Sequence, residues 1–540
     1  MSPKLMELMQ RGLNGEMGIL SLKEKCDFVR RQIRLMMLEG NMAVIFANAL
    51  SEDLEFENSR PAQNLFLYCL NRAAQAMPLR ADVMKTLEEI SPDGQRKIRL
   101  DLVRGSALPP DLEQKIFRSG EQASDALYDT MLGMLAQNQD HIGVAEALLH
   151  MDLRLFREPT AWLDKFRCPS GLADLWRNAL FLHYAYRGRW ADALPLWERM
   201  PEESRNPYAR VYAADNYILS GDIDSGLKNY TQALRQDGAL HPVSLRLEAL
   251  LSPTMPRPGL LAQRKTAVCL YSWNKGPVLW QTLRALARTD TGNSPVFILL
   301  NGCTDDSLPR VEALRELFPE RTYEIVNLPI NIGAPAARNW LIHLPQVQAC
   351  DHVAFMDDDV VMPKDWLVRY LTEMEKDPQN AVAGCKVVFP SDHAEAPVLQ
   401  SLYYSVRTAR AGLLRLGTGT PGEDARDTGL YTFTRPCLHV MGCLHLLRMS
   451  ALREIGDFDI GFSPSQLDDV EHDLRTALMG RKIIYCGQVT CEHHQKSGAA
   501  LARNLIAAQT AIGPVVGHDI KLMFKHLPNL KRLAELAEKV

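Results

Sequence analysis

The chain has 540 residues, with 61 lysines and arginines against 65 aspartates and glutamates and a formal net charge of −4 at pH 7. That length exceeds one ordinary hydrophobic core and predicts two or three domains. The near balance of charge excludes a broad basic field for nucleic acid. Eleven cysteines stand as singletons, with no Cys-x-x-Cys and an odd total. They read as small apolar residues in a reducing compartment rather than a disulfide frame or a zinc site. The opening Met1 to Arg11 carries acid among its apolar residues and lacks a signal-peptide core. No run approaches the roughly 18 uninterrupted apolar residues of a membrane span. The expected location is cytoplasmic.

Residues 1–258 are rich in helix formers with helical apolar spacing, which predicts an all-α domain. One internal repeat is visible. His183 to Trp197 aligns with Asn216 to Tyr230, placing Gly188 and Gly221 33 residues apart, close to the tetratricopeptide period. In each copy a tyrosine, Tyr184 or Tyr217, precedes the glycine by four residues. Gln137 to Leu148 reads as a degenerate earlier copy, and Asn41 to Met77 as a further helix pair. Such tetratricopeptide-like stacks offer concave surfaces to proteins or peptides; a helical spacer or an oligomerisation domain fits the same pattern. No catalytic constellation occurs here. Pro253 to Gly259, with three prolines and a glycine, is a break that neither helix nor strand crosses, and the domain boundary is expected there.

Beyond the break the period changes. Strands are expected at Thr266–Ser272, Val296–Leu300, Tyr323–Leu328 and His352–Met356. Helices follow them at Val278–Ala287, Ser307–Leu317, Ala336–Leu344 and Lys364–Lys376. This alternation implies right-handed βαβ units and a mostly parallel, doubly wound sheet over residues 263–500. The fourth strand stops at Asp357, Asp358 and Asp359. Open α/β sheets bind ligands at the carboxyl ends of their strands. Three adjacent acids there suit Mg²⁺ or Mn²⁺ beside a phosphate-bearing ligand, or a solvated acidic turn.

Five blocks then stand in a fixed order: Tyr271-Ser-Trp-Asn-Lys275, Leu300-Asn-Gly-Cys-Thr-Asp-Asp-Ser307, Asn331-Ile-Gly-Ala-Pro-Ala-Ala-Arg-Asn339, Asp357-Asp-Asp359, and Gly442 through His494. In that order they resemble the family-2 glycosyltransferases of the GT-A fold, over somewhat under half the chain. The resemblance implies an enzyme that moves a sugar from a nucleotide-diphosphate donor to the hydroxyl of a glycan or protein acceptor, with inversion and with Mn²⁺ or Mg²⁺ as cofactor. It implies donor binding by Tyr271, Ser272, Asn274, Asn301, Arg338 and Asp357. Asn301 stands where the family usually has Asp; its amide oxygen is expected to accept from the base. Arg338 is expected to start a helix and grip oxygens with its planar fork. Asp359 matches the metal ligand of the Asp-x-Asp element and Asp357 the ribose or the metal's water shell, while Asp358 is expected to face the donor sugar.

Asp468-Asp469-Val470-Glu471 lies where the family carries Glu-Asp-x-Asp, so the resemblance makes Asp469 the catalytic base. An acidic cluster is expected to raise its pKa. His493, which fits the spacing better than His494, is implied as a second metal ligand. Pro390 to Cys437, with the turn-rich Gly417 to Gly429, corresponds to an acceptor-facing insertion. Residues 501–540 are expected as a helical tail packed on a domain. The competing reading is a degenerate transferase domain serving as a scaffold, with the helical domain binding a protein partner; Asn301 and Tyr271 are the departures that favour it.

Overall fold

A computed structural model of the chain describes residues 17–18, 20–113, 115–116, 125–155, 157, 160–319, 321–391, 395–409, 415–419, 425–494, 517–518 and 520–540. The opening Met1 to Arg11, and the stretch after Ser497 up to residue 516, lie outside the described residues. The chain divides into two compact units, Met1–Ser244 and Leu245–Val540, and the division falls inside the helix His241–Leu251.

The described residues of the first unit form helices and no strand. The segments α1 (Leu22–Leu35), α2 (Gly40–Ser51), α3 (Arg60–Ala76), α4 (Asp125–Gln137) and α5 (Ile142–Leu155) precede two helix pairs. The first pair is α6 (Ala173–Tyr186) with α7 (Trp190–Glu198), the second α8 (Pro207–Leu219) with α9 (Ile223–Gln236). The 33-residue sequence repeat is repeated in the backbone. Gly188 and Gly221 take φ of 76° and 91°, a left-handed conformation that costs a glycine little and other residues more. Each turn closes with the same bond: Arg189 N–H donates to Tyr184 O, and Asp222 N–H to Tyr217 O, both at 2.9 Å. Asn216 joins the pairs by donating its amide to Ala185 O at 2.9 Å.

The second unit is built on a sheet ordered β10-β13-β6-β12-β4-β1-β2-β3. Its first four strands are β1 (Thr266–Ser272), β2 (Val296–Asn301), β3 (Tyr323–Leu328) and β4 (His352–Met356). They run parallel, and β1, β2 and β4 are almost wholly buried. Helices α10 (Gly276–Leu286), α11 (Ser307–Glu312) and α12 (Ala334–Ile342) form the crossovers, and α13 (Trp366–Met374) follows β4 and the short β5 (Val360–Val361). The core packs Leu270, Ile298, Leu300, Met356, Trp366 and Tyr370; fully burying one aliphatic side chain contributes about 1.5–3 kcal/mol.

The rest of the sheet is mixed, adding antiparallel strands to the expected mostly parallel order. Strand β6 (Asn380–Val388) lies parallel to β13 (Lys482–His493), whereas β12 (Leu444–Arg448) is inserted antiparallel between β4 and β6. Small residues Ala381, Ala383 and Gly384 blur the apolar signal of β6 in the sequence. A Cβ on Gly384 would come within 2.3 Å of a Val440 methyl. The two late strands expected at Ile483–Tyr485 and Val489–Cys491 are one strand, β13, with an irregularity between Cys486 and Thr490. The expected helix Ser307–Leu317 ends at Glu312 and continues as a 3₁₀ turn at Arg315–Leu317. Within Pro390 to Cys437, β7 (Leu399–Ser401) pairs with β6, and β8 (Tyr403–Ala409) with β9 (Arg415–Gly419). Gly417 to Gly419, expected in a loop, are thus strand. Residues 420–424 of that expected loop lie outside the described residues. Strand β10 (Thr434–Cys437) edges the large sheet, and β11 (His439–Val440) pairs with β8. Helix α14 (Asp468–Leu478) precedes β13, and α15 (Leu530–Ala537) closes the chain.

Candidate functional site

The carboxyl ends of β1, β2 and β4 meet the end of β13, and every sequence-predicted site residue lies along that edge or on the helices beside it. Asp357 leaves β4 with its amide donating to Cys443 O at 2.8 Å. Strand β5 pairs Val360 with His493, which brings the imidazole to the triplet. His493 Nε2 lies 3.1 Å from Asp359 Oδ1 and 3.9 Å from Asp357 Oδ2, and its Nδ1 is 3.1 Å from Gln400 Oε1. With Nδ1–H donating to Gln400, Nε2 is turned to the carboxylates, where it carries a proton toward Asp359 or, that proton lost, offers the lone pair an imidazole ligand requires. Asp357, Asp359 and His493 each offer one ligand atom, all within 4.8 Å of one another. Carboxylate oxygens with one imidazole fit a divalent cation of the Mn²⁺ or Mg²⁺ class. His494 turns away, 3.9 Å from Glu492, and joins the site only by donating its backbone N–H to Asp359 O.

Electrostatics separates the three acids. Burial pushes the Asp357 carboxyl up to about 6 against the pull of Arg338 and His493. Burial also raises Asp358, against Lys275. At Asp359 burial is outweighed by His493 and Lys275, which hold it down at about 2. For His493 burial lowers the pKa, but Asp359 and Asp357 prevail and it lies above its ordinary value.

Asp358, expected to face a donor sugar, is instead buried beneath the site. It accepts from Ser272 Oγ at 2.5 Å and from Lys275 Nζ at 2.9 Å, and its backbone carbonyl accepts from Thr282. Ser272, expected as a donor contact, spends its hydroxyl proton on this bond and is 1 % exposed. Lys275 also reaches Asp359 Oδ2 at 3.0 Å. It is a site residue to which the sequence assigned no task, because Lys275 and Asp358 lie 83 residues apart in the chain and leave no local signal.

The loops after β1, β2 and β3 are laced by amides. Asn274, at φ 52°, accepts from Thr304 N–H at 2.7 Å and so ties the first loop to the second. Asn301 is 3 % exposed. Its amide oxygen, expected to meet the base, accepts from Ile332 N–H at 2.9 Å, and its Nδ2 donates to Asn331 Oδ1 at 2.9 Å. Asn331 Oδ1 also accepts from Gly333 N–H. Gly302, at φ 72°, lets the Ile330–Asn331 backbone pass where a Cβ would lie 2.4 Å from it. Tyr271 is half-buried, its hydroxyl 3.4 Å from Asp357 Oδ1, and Trp273 beside it is exposed.

Arg338 does not start its helix; it lies in the second turn of α12, 4 % exposed. Its guanidinium rests 5.2 Å from the Tyr271 ring and 5.3 Å from Phe458. It ion-pairs with Asp468 through Nη1 and faces Asp357 through Nη2 at 3.8 Å. One cation thus links the triplet to the acidic start of α14.

There Asp468 is buried and engaged, and burial raises its carboxyl. Asp469 is less buried and accepts two backbone amides, from Gly442 at 2.9 Å and Val470 at 2.8 Å. The expected rise in its pKa is not found. Burial does push it up, but His439, Arg338 and those two amides outweigh burial and hold it below the ordinary carboxylate value. Gln466 and Leu467, just ahead, adopt φ of 80° and 65°; backbone strain of this kind gathers at functional sites.

Glu471 faces away from this edge, fully buried among Arg475, Lys525 and His526. Arg426 and Asp427, in the expected acceptor segment, are also tied: Arg426 to Glu395 at 2.9 Å and Asp427 to Lys386 at 2.6 Å, all four side chains largely buried. They fasten the segment to β6 and its own base.

The family model described as Glycosyltransferase like family 2 matches residues 263–510. No curated protein matches the sequence. Among solved structures the chain is similar to GalNAc-T7 with UDP, GalNAc and Mn²⁺, at 14 % identity over 43 % of this chain and 44 % of that one, with a TM-score of 0.35. It is similar to the mannosyltransferase PcManGT from Pyrobaculum calidifontis in complex with GDP-Man and Mn²⁺, at 17 % identity over 58 % and 85 %, with a TM-score of 0.34. It is also similar to residues 1–349 of S. aureus TarS in complex with UDP-GlcNAc, at 17 % identity over 43 % and 59 %, with a TM-score of 0.31. The chain therefore spans less than half of the first of these. Likenesses this distant say nothing of this chain's substrate or metal.

Proposed function

We propose, from a chain whose residues 263–510 are a family-2-like glycosyltransferase domain, that the reaction is transfer of a sugar from a nucleotide-diphosphate donor to an acceptor hydroxyl, with inversion. The observation that carries this reading is the convergence of Asp357, Asp359 and His493 within 4.8 Å, beside a separate ionised carboxylate, Asp469. Asp357, Asp359 and His493 would hold a divalent cation, which would supply charge compensation for a departing nucleoside diphosphate. Asp357 and Asp359 hold the donor side, and Gln400 orients His493. Arg338 keeps Tyr271, Asp357 and Asp468 in register and places positive charge beside the triplet. Asp469, held below the ordinary carboxylate value, is ionised at neutral pH and accepts the acceptor's hydroxyl proton. The exposed Trp273 offers a face on which a base stacks. Because both polar ends of Asn301 are engaged by the neighbouring loop, base recognition falls to other groups, among them the Asn274 side chain and backbone atoms of these loops.

The acceptor is a glycan or a protein. The first unit favours a protein: its helix pairs resemble tetratricopeptide repeats, and it holds a groove of about 660 Å³ lined by Asn41, Arg80, Tyr186, Tyr208 and Tyr212 among others, the kind of concave surface that receives peptides.

Two measurements test the reading. A melting scan with Mn²⁺ and a panel of nucleoside diphosphates should show stabilisation by one of them, about 2.7 kcal/mol at a hundredfold excess over its dissociation constant; no shift with any nucleotide counts against the enzyme. Asp469→Asn should lower transfer by about 10²–10⁴-fold while nucleotide binding stays unchanged, and retained turnover removes Asp469 from its role.

A further inference from the structure

Three cysteines that are far apart in the sequence converge behind the donor edge. Cys385 belongs to β6, Cys443 directly precedes β12, and Cys491 belongs to β13. These are three neighbouring strands, in the order β13-β6-β12. The three thiols are 0–1 % exposed, and their sulfurs lie within 4.8 Å of one another. All eleven cysteines of the chain are free thiols. Among the described residues, this is the sole cluster of three or more metal-ligating side chains besides the Asp357, Asp359 and His493 group.

We propose that Cys385, Cys443 and Cys491 form a binding site for a trivalent thiophilic metalloid, for which arsenic(III) is the probe. Thiolate sulfur lies about 2.3 Å from a bound ion of the zinc class, which sets three sulfurs around one centre about 4 Å apart, a spacing this cluster reaches with small adjustments. Softness selects thiophilic elements over the hard cations that suit the neighbouring carboxylates. Net charge selects the valence. Three thiolates around a divalent ion leave a buried negative charge, which apolar surroundings penalise heavily; around a trivalent centre they leave none. Arsenous acid enters as a small neutral molecule and condenses with the thiols. Three S–H and three As–O bonds break, three As–S bonds form, three waters leave, and no oxidation state changes.

The cluster is joined to the donor edge at two points. The Cys443 carbonyl accepts from the Asp357 amide at 2.8 Å, and Cys491 precedes His493 by two residues along β13. Loading is therefore expected to weaken Mn²⁺ binding, a consequence that rests on the metal reading of Asp357, Asp359 and His493 given above.

The test is titration of the full chain with arsenite, followed by intact mass and by counting thiols after denaturation without reductant. One arsenic per chain should bind, with a mass gain of one arsenic less three hydrogens and the loss of three of the eleven reactive thiols together. Cys491→Ala or Cys385→Ala should abolish that three-thiol adduct, and Cys350→Ala should leave it unchanged. Absence of uptake by the wild-type chain overturns the proposal without need of any variant, as does uptake that survives Cys491→Ala in a protein that still melts cooperatively. Mn²⁺ affinity unchanged in the loaded protein overturns the coupling. An unloaded protein that fails to bind Mn²⁺ counts instead against the donor-site reading.

Discussion

At Asn301 the side chain is settled by what the next loop demands. Ile332 N–H must meet an oxygen, while Asn331 Oδ1, which already accepts from Gly333 N–H, faces Asn301 Nδ2 as a second donor, and only an amide fits both neighbours. A carboxylate there would face Asn331 Oδ1 with no proton to give. Asn301→Asp, although it restores the residue common in the family, is therefore expected to destabilise the protein by about 1–3 kcal/mol, the cost of an unsatisfied buried polar group, read as a lower melting temperature at neutral pH. Gly442 is settled by closeness. A Cβ on it would lie 2.8 Å from Asp469 Oδ2 and 3.3 Å from Arg338 Nη2. Gly442→Ala should push the Asp469 carboxylate out of place and, if Asp469 is the base, cut turnover by about 10²-fold with nucleotide affinity retained; equal losses in both would place Gly442 in the fold and not in positioning.

At the scale of elements, α14 is held at its first turn from two sides. Arg338 of α12 pairs with its first residue, and Glu471 in its first turn is fully buried among Arg475, Lys525 and His526. Lys525 also reaches Asp459 at 2.6 Å, so the chain's last segment pins both the helix that carries Asp469 and the turn before it. Burial pushes the Glu471 carboxyl up, but those cations outweigh it and take it from an ordinary 4.5 down to about 2. A folded-state pKa below the unfolded one contributes stability that is complete above the unfolded value and lost as pH falls through the folded one. Melting temperature should therefore drop between about pH 4.5 and 2 partly through Glu471, and Glu471→Gln should flatten that limb while lowering stability at pH 7. The same dependence on distant partners explains what could not be read locally. Ser272 and Asp358 look like donor contacts in their motifs, yet a hydrogen bond from the end of β1 to the turn after β4 directs them toward each other.

At the scale of the whole molecule, every residue of the proposed chemistry lies between Tyr271 and His493, within the unit Leu245–Val540. That unit expressed alone should fold, bind Mn²⁺ with a nucleotide, and melt with the same ligand-induced shift as the full chain; loss of binding would show that the helical unit completes the site. The chain's own order of residues determined a good deal. The alternation of strand and helix after Pro253 implied a parallel βαβ half, and the abrupt stop of an apolar run at Asp357 marked a ligand edge, because both signals are local and periodic. The 33-residue spacing of Gly188 and Gly221 likewise announced two equal helix turns, since a left-handed turn makes a local demand on its glycine. The antiparallel insertion of β12, the choice of His493 over His494, the burial of Asp358 under Lys275, the internal use of Asn301 and the meeting of Cys385, Cys443 and Cys491 were decided only in the tertiary structure. Each depends on partners 30 or more residues away, or on which of two adjacent side chains the pleat of a strand turns inward, and neither spacing nor composition records that.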